Sequence, residues 1–340
     1  MTKISLPTHS KASILMLTLW ALCLMSVFAV IVGAGIRQKM ALVRRLSERE
    51  KAFLLCESGV NKAITQIRLR GEAGFKALKE SWSNNPAAFK GINCGDGECN
   101  ICYNYWDDIS EGYQTRYGII DEERKININT ADTQVLARLF LAVLGIDEAG
   151  ALELAEAVVD WRDEDQGGGG SSRGAENFYY AGLTFSYQAK DSDFQVLDEL
   201  LLVKGFTPEI FARVRDYLTV YGYGKVNVNT ASKPVLLALG LREELVQKIL
   251  DYRRGEDGIE ATEDDTIFES QGGIVSDLSA FYRLGEAEVA LLSNVSALYF
   301  DTSSSYFMIK ASADIGSRKR LLEAMCVVDS EGRKLYWQES

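Results

Sequence analysis

A long uncharged segment near the N-terminus places the strongest limit on how this chain can fold. Residues 12–36 read ASILMLTLWALCLMSVFAVIVGAGI, which is 25 residues without a charged side chain. As an α-helix this segment would be about 37 Å long, enough to cross a bilayer hydrocarbon core of about 30 Å. A buried helix of a water-soluble protein rarely stays uncharged for so long, so the segment predicts a membrane span.

The residues that follow distinguish a membrane anchor from a cleaved signal peptide. A signal peptide has an apolar core of only about 7–15 residues and then a cleavage site. Here the helical pattern continues beyond Arg37 without a proline, and apolar residues recur beside charged ones at Ala41, Leu42, Leu46, Phe53, Val60, Ile64 and Ile67. We therefore predict one helix from about Ser13 to about Arg70, apolar first and amphipathic after.

The composition argues against two classes of function. The formal net charge is −11 at pH 7, whereas binding to a nucleic-acid backbone requires a basic surface. The single histidine, His9, precedes the apolar segment. The rest of the chain therefore has no histidine for acid–base or nucleophilic catalysis or for metal ligation. We expect no nucleic acid as a partner and no enzymatic activity.

The chain contains an internal repeat. Residues 125–139 read KININTADTQVLARL, and residues 225–239 read KVNVNTASKPVLLAL. In each copy a short alternating segment precedes a helix. Asp132 and Ser232 are the candidate N-caps of these helices, and Pro234 suits the first turn of the second. A glycine turn and another helix follow each copy, so the pattern predicts a duplicated set of helix–hairpin–helix-like units.

The turns inside these units bear on DNA binding, which some helix–hairpin–helix proteins perform. In the DNA-binding form the turn is Gly-hydrophobic-Gly, and its backbone N–H groups contact a phosphate. The turns here read GIDE from Gly145 and GLRE from Gly240. The second glycine is absent, and acidic residues stand where a phosphate would approach. We interpret the units as packing units whose asparagine pairs satisfy turn backbone; a membrane-anchored DNA-binding protein of a DNA-uptake system is the alternative.

An acidic, glycine-rich segment follows the first repeat copy. Residues 160–194 read DWRDEDQGGGGSSRGAENFYYAGLTFSYQAKDSDF. A calcium ion takes six to eight oxygen ligands and could order such a loop, but a solvated loop fits the same residues. A second acidic segment, residues 253–269, occupies the equivalent place after the second copy, and the same two interpretations apply to it.

Six cysteines bear on the compartment and on metal binding. Cys23 and Cys56 lie in the predicted long helix, where free thiols are common. The others are Cys94, Cys99, Cys102 and Cys326. In an oxidising compartment a disulfide within the cluster of Cys94, Cys99 and Cys102 is expected, although the sequence does not specify the pairing. A zinc site of four thiolates and a set of free thiols are the alternatives.

Taken in order, these segments resemble the type II secretion system minor pseudopilin K family, also called general secretion pathway protein K. The resemblance covers nearly the whole chain. It rests on the uncharged run at 13–36 and on the segments FLLCESGVNKAI, KININTA, VVDWRDED followed by GAENFYY, FQVLDEL with GFTPEIF, and KVNVNTA. No single segment is decisive, but their order and spacing together are specific.

The resemblance implies an α+β fold of the type IV pilin kind, in which a long N-terminal helix packs on a small antiparallel sheet and a large α-helical domain is inserted between strands. The implied divisions are a prepilin leader at 1–12 and the transmembrane half of the helix at 13–36. The stem and first strands take 37–128, the inserted domain of duplicated units takes 129–295, and the closing strands take 296–340.

The resemblance also implies processing and a place in a filament. A prepilin peptidase would cut between Ala12 and Ser13, although the family usually has Gly before the cut. Pilins usually carry a Glu five residues into the mature chain, where this chain has Leu17. Burying an unpaired carboxylate is costly, so an apolar residue suits a subunit without a neighbour above it. Both this residue and the bulky insertion indicate the filament tip.

The family implies partners, a location and a metal. The expected function is that of a minor pseudopilin, which starts the periplasmic pseudopilus of a type II protein secretion system. The expected partners are the I- and J-type minor pseudopilins, the major pseudopilin and the inner-membrane platform of the system. The protein would cross the inner membrane once, with its body in the periplasm. Known members bind calcium in the inserted domain, and the matching candidate ligands are Asp160, Asp163, Asp165, Glu176 and Asp193.

Overall fold

The structure is a computed structural model that describes residues 10–69, 76–95, 97–107, 112–163, 179–183, 185–316 and 318–340. The chain divides into two compact units, residues 1–54 and 55–340. The leader predicted at 1–12 lies outside the described residues except for its last three.

The first helix, α1, spans Ser10–Leu69 and continues past Arg37, as the sequence predicts. It contains an apolar stretch near the N-terminus that is long enough to cross a membrane, and no part of that stretch is buried. Large apolar side chains are exposed along α1, among them Leu17, Trp20 and Phe28 in the apolar stretch and Leu46 beyond it. Such exposure is stable only in lipid or against another protein.

The main sheet is antiparallel, and its central strands are the long β10, Tyr306–Ile315, and β11, Arg318–Asp329. Its other strands are β1 Ile92–Asn93, β2 Gly97–Ile101, β5 Ile120–Asp121 and β12 Lys334–Glu339. The order is β1-β2-β10-β11-β12, and β5 also pairs with β10. The sequence predicts β10 to β12 correctly from their β-propensity and turn residues.

The strands predicted between Cys102 and Ile128 form mostly a separate hairpin. Its strands, β3 Tyr103–Asp107 and β4 Gly112–Arg116, pair only with each other among the described residues. The N-terminal side of the main sheet is instead supplied by β2, which runs through the cysteine-rich stretch GECNI. The buried positions of β2 are Cys99 and Ile101, which alternate with more exposed residues as in a strand with one buried face.

Residues 55–69 of α1 pack on one face of this sheet. Their buried side chains recur at helical spacing: Leu55, Cys56, Val60, Ala63, Ile64 and Ile67. The opposing face of the sheet presents the buried Ile101, Ile309, Ala311, Ala313, Leu322 and Ala324. A long helix on a small antiparallel sheet is therefore observed, as predicted.

The helices lie mainly between residues 127 and 300. Besides the short α2 Pro86–Phe89, they are α3 Thr133–Leu144, α4 Glu148–Arg162, α5 Pro208–Val214, α6 Lys233–Ala238, α7 Glu243–Arg253, α8 Ile274–Phe281 and α9 Glu286–Tyr299. Short 3-10 helices cover Glu122–Arg124, Leu197–Leu202, Arg215–Tyr217 and Gln271–Gly273. One continuous apolar core joins these helices and includes Leu136, Phe140, Leu236 and Leu292.

Two short parallel strand pairs divide the helical region into two modules. The first module, residues 126–219, begins at β6 Ile126–Asn127 and ends at β7 Leu218–Thr219, which pairs with β6. The second module, residues 226–301, begins at β8 Val226–Asn227 and ends at β9 Phe300–Asp301, which pairs with β8. The two modules therefore close in the same way, as expected for an internal duplication.

The predicted helix caps are correct in the first module and partly wrong in the second. The Asp132 side chain accepts a hydrogen bond of 2.7 Å from the Val135 N–H and caps α3. Pro234 occupies the first turn of α6, but the Ser232 side chain makes no capping hydrogen bond there. The turn after α3 uses Gly145 at φ +65°, a left-handed conformation that suits glycine. The identification of these helix pairs as helix–hairpin–helix units stays a prediction.

Candidate functional site

The candidate calcium ligands lie around the C-terminus of α4. Asp160 is half-buried on its last turn, Asp163 is the exposed C-cap, and Asp193 is exposed where the chain returns. Asp165 and Glu176 lie outside the described residues. Among the residues that are described, no three acidic, cysteine or histidine side chains form a group that could hold a metal ion.

Arg162 occupies the centre of this region. Its Nη1 donates to the Ile128 carbonyl, and its Nη2 donates to the Ala131 carbonyl at 2.7 Å. Its Nε lies 3.7 Å from Asp163 Oδ1. Burial lowers the pKa of Arg162, and the carboxylates of Asp163 and Asp193 oppose that effect. The structure therefore brings these two predicted ligands near one guanidinium, which fixes α4 to the start of the first module.

The chain that follows the acidic segment is anchored beside α4. The Asp191 N–H donates to the Trp161 carbonyl at 3.0 Å, and the Lys190 ammonium donates to the Asp193 carbonyl at 2.7 Å. Trp161 is also in edge-to-face contact with Tyr180, at a centroid distance of 5.4 Å. The structure thus holds the residues on both sides of the predicted loop close together.

The second acidic segment is held by protein donors. Asp264 accepts hydrogen bonds from the N–H of Asp257 and from the Thr262 hydroxyl, and these lower its pKa to about 2. The buried Glu260 carboxylate accepts from Arg253 Nη2 at 2.8 Å and from the Tyr105 hydroxyl. These carboxylates already have partners, which favours a structural role for this segment.

The asparagine pairs of the two repeat copies make equivalent hydrogen bonds. Asn129 exchanges two hydrogen bonds with the backbone of Phe194, at 3.0 and 2.8 Å. Asn229 exchanges two with the backbone of Phe268, both at 2.9 Å. Their role in satisfying backbone, predicted from the sequence, is confirmed. Each of these two asparagines anchors the C-terminal end of the acidic segment in its own module.

Asn227 also joins the second module to the sheet, a role that the repeat pattern does not reveal. Its Nδ2 lies 3.0 Å from Asp121 Oδ2, 2.8 Å from Ser304 Oγ and 3.0 Å from the Lys76 carbonyl. Asp121, on β5, also accepts from the Thr230 hydroxyl at 2.6 Å. Burial raises the pKa of Asp121, and its hydroxyl donors oppose that effect. Sequence reasoning could have noticed only that Asp121 lies four residues before Lys125, where the first repeat copy begins.

A cleft of about 720 Å³ lies on the sheet face opposite α1. Met308, Lys310 and Tyr336 of the sheet line it, together with the ion pair of Lys125 and Glu122, whose Nζ–Oε1 distance is 2.5 Å. The Thr219 hydroxyl also donates to Glu122. Burial lowers the pKa of Lys310. Because Glu122 is held by two donors, it is suited to fixing the walls of the cleft.

The cysteines predicted to pair with one another lie in different surroundings. Each of the six is a free thiol in the structure. Cys326 on β11 is opposite Ile309, whereas Cys99 on β2 is opposite Ala313, four residues along β10 and on its other side, so the two are about 16 Å apart. The four-thiolate zinc site is not formed among the described residues. The structure places Cys99 beside Cys56, although no sequence pattern groups these two residues.

The predicted cleavage position, Ala12–Ser13, lies in the helical backbone of α1. The side chains of both residues lie outside the described part of the chain.

Comparisons with known proteins identify relatives of this chain. The family model for protein K of the type II secretion system matches residues 118–223. The type II secretion system protein K of Aeromonas hydrophila is 30% identical over 192 residues, covering 56% of this chain and 54% of the relative. That of Pseudomonas aeruginosa is 26% identical over 235 residues, covering 66% and 64%. The chain thus matches just over half and just under two thirds of these relatives' lengths.

A solved structure has the same fold. It is a chain in the crystal structure of the GspK-GspI-GspJ complex from the type 2 secretion system of enterotoxigenic Escherichia coli. The match has a TM-score of 0.64 at 16% sequence identity and covers 88% of this chain and 99% of that chain. At this identity the likeness concerns the fold.

Proposed function

We propose that the chain is a member of the type II secretion system protein K family, which it resembles in sequence, and that it acts as a minor pseudopilin at the tip of a periplasmic pseudopilus. The observation that carries this proposal is the fold: a long helix with an exposed apolar part, and a small sheet extended by a helical insertion. The exposed apolar part of the helix suits insertion in a membrane and association with other helices. The sheet and its helical insertion are the parts that the family resemblance attributes to the body of a filament subunit.

The tip position is supported by two features. Leu17 stands where the pilin pattern has a carboxylate, so no neighbouring amine is required to pair with it. The helical modules add bulk between the strands β5 and β10 of the sheet. A subunit with this added bulk is poorly suited to having another subunit stacked on it.

The proposed partners are the I- and J-type minor pseudopilins, in keeping with the complex that contains the structural neighbour. The major pseudopilin and the inner-membrane platform would follow in the filament. The side chains available for helix association are the exposed apolar residues of α1, including Met40, Leu42, Val43 and Leu46. In water their exposure costs free energy, so association along this surface is favourable.

The most informative experiment is co-purification of the full chain with I- and J-type minor pseudopilins from detergent-solubilised membranes. We expect a stable complex that Leu46→Glu weakens by roughly tenfold or more, because a charge replaces an exposed apolar side chain that the complex would bury. Arg44→Ala, which alters an exposed ion pair nearby, is the matched control and should retain the complex. If the wild-type chain purifies alone, the proposal fails.

Processing by a prepilin peptidase gives a second test. Mass spectrometry of the membrane form should find a methylated N-terminus at Ser13, since the predicted cut falls after Ala12. An intact leader would argue against normal processing and leave the helical anchor uncleaved.

We also propose a calcium site in the first acidic segment, with Asp160, Asp163, Asp165, Glu176 and Asp193 as ligands. It is supported by the return of the chain beside α4, where the Asp191 N–H donates to the Trp161 carbonyl, and by the preference of calcium for carboxylate oxygens. Calorimetry should detect calcium binding that the double variant Asp163→Ala, Asp165→Ala weakens.

The control for the calcium experiment is a double variant in the second acidic segment, Asp257→Ala with Asp264→Ala. Its carboxylates are engaged by protein donors, so its calcium affinity should match that of the wild type. Unchanged affinity in the first variant would remove the first segment as the site.

A further inference from the structure

Two buried thiols meet where α1 packs on the main sheet. Cys56 on α1 and Cys99 on β2 are both fully inaccessible to solvent. The Cys56 Sγ lies 3.8 Å from the Ala311 carbonyl oxygen and 3.7 Å from that of Leu322. Cys99 is opposite Ala313 on β10, in the same part of the sheet. Both sulfur atoms therefore lie in one layer between helix and strands.

The helix backbone approaches the sheet closely at this point. Gly59 follows Cys56 by about one turn, and a Cβ at Gly59 would clash with Cys99 Sγ. Ala63 on the helix and Ala311 on the sheet are also buried at this interface. Small residues on both sides bring the helix and the strand near enough for their side chains to be joined directly.

The thiols of Cys56 and Cys99 also interact with each other. Their mutual contact is the largest cause of the raised pKa of the Cys99 thiol, ahead of burial. Cys94 and Cys102 also lie near Cys99 but affect its thiol less than Cys56 does, and the Cys94 sulfur lies 3.4 Å from the Ser58 hydroxyl oxygen. Cys326 lies on β11, which pairs with β10 on the edge opposite to β2. The contact that the structure favours is thus between helix and sheet, not within the cysteine-rich segment.

We propose that Cys56 and Cys99 form a disulfide that joins α1 to the main sheet. The inference rests on the proposed function in one respect, because the periplasm supplies the oxidising conditions. The two thiols together lose two protons and two electrons as the sulfur–sulfur bond forms. The electrons pass by thiol–disulfide exchange to the disulfide of an oxidoreductase, which becomes two thiols.

The buried position of the pair sets when the bond forms. Thiolates, not thiols, attack disulfides, and the surroundings of Cys99 in the folded protein disfavour its thiolate. Oxidation therefore precedes or accompanies the docking of α1 on the sheet. Once the protein has folded, the same burial protects the bond from reductants.

The expected consequence is a more stable attachment of the helix. The bond closes a loop of 42 intervening residues, 57–98, and so restricts the unfolded chain. Its loss should lower the melting temperature of the full chain by about 10 °C. A force applied to α1 would also be transmitted to the sheet through this covalent bond.

The test is peptide mapping of the full chain after its free thiols have been alkylated under denaturing, non-reducing conditions. Trypsin cuts after Lys51, and Glu-C cuts after Glu57 and Glu98, which separates Cys94 from Cys99. Fragment ions distinguish Cys99 from Cys102. We expect a cross-linked pair of peptides containing Cys56 and Cys99. Alkylation of both residues, or a link from Cys99 to Cys94, would overturn the proposal.

Two further measurements separate this inference from the proposed function. The purified, reduced chain is unfolded and refolded with oxidised glutathione. The Cys56–Cys99 link should then form whatever the protein's location in the cell; its absence overturns the inference. If it forms in vitro but not in cells, the pairing stands and the periplasmic location fails.

The stability measurement uses matched variants. Cys56→Ala with Cys99→Ala should lower the melting temperature under oxidising conditions, and the difference from the wild type should shrink sharply in a reductant. Cys326→Ala removes another buried thiol of the same sheet and should leave both the cross-link and the effect of the reductant intact. A melting temperature of the wild type that does not respond to the reductant would contradict the proposal.

Discussion

Replacing Asn227 with alanine tests how the second module is joined to the sheet. The substitution removes hydrogen bonds to Asp121, Ser304 and the Lys76 carbonyl, all of them buried. Neutral hydrogen bonds contribute about 1 kcal/mol each and those to charged groups about 1.5–3, and a buried acceptor left unpaired adds to the loss. We expect the free energy of unfolding to fall by about 4 kcal/mol.

The matched control is Asn127→Ala at the equivalent position of the first module. Asn127 donates to the carbonyls of Tyr221 and Gly222 at 3.0 and 2.9 Å, and these half-buried residues leave their carbonyls better access to water. Its loss should cost only about 2 kcal/mol. A further variant, Asn227→Asp, places a second carboxylate against Asp121 and should be worse than Asn227→Ala at neutral pH.

Urea denaturation of the full chain in detergent, followed by tryptophan fluorescence, measures these differences. Trp82 is a suitable reporter because it is buried and stacks edge-to-face on Phe307, next to the β5–β10 pair. If Asn227→Ala costs no more than Asn127→Ala, or less than about 1 kcal/mol, the junction is not held as described.

Three other predictions use single or paired variants. Burial raises the pKa of Glu123 from 4.5 to about 7, so the folded state binds a proton that the unfolded state releases. Stability should therefore fall as pH rises from 4.5 to 7, by up to about 3 kcal/mol, and Glu123→Gln should remove that slope in unfolding curves. Asp132→Ala should cost about 1 kcal/mol and Ser232→Ala almost nothing, because only Asp132 caps its helix; equal losses would contradict this. Gly59→Ala should cost about 1–3 kcal/mol through its clash with the buried Cys99 sulfur, whereas Gly272→Ala, with open space around it, should melt like the wild type.

The sequence predicted those parts of the fold that depend on local pattern. The uncharged run and the helical spacing after Arg37 predicted α1, and the strand propensities near the C-terminus predicted β10 to β12. The cap at Asp132 was correct because an aspartate at the start of a helix acts on its own first turn. These are short-range effects, which a single sequence records directly.

Long-range contacts could not be predicted in the same way. Ser232 has the right type and position for a cap, yet its hydroxyl makes no capping bond, and nothing in the local pattern shows this. The pairing of Cys56 with Cys99 depends on the register of a helix against a sheet. The junction of Asp121 with Asn227 spans 106 positions of the chain, and its partners come from separate elements.

The candidate metal site shows a mixed result. The residues around α4 were identified from composition and from the family resemblance, and the structure brings Asp163 and Asp193 near Arg162. The role of that arginine was not anticipated, because its partners are the carbonyls of Ile128 and Ala131, which precede it by about 30 residues. Whether calcium binds there stays a prediction.

The parallel strand pairs that close the two modules have a consequence for the evolution of this chain. Because β6 pairs with β7 and β8 with β9, each module begins and ends on adjacent strands, about 4.8 Å apart. A segment with neighbouring ends can be gained, lost or exchanged between genes while the host fold keeps its geometry. The helical part of this protein could thus have grown by tandem copying of one module, after which the two copies came to share one apolar core.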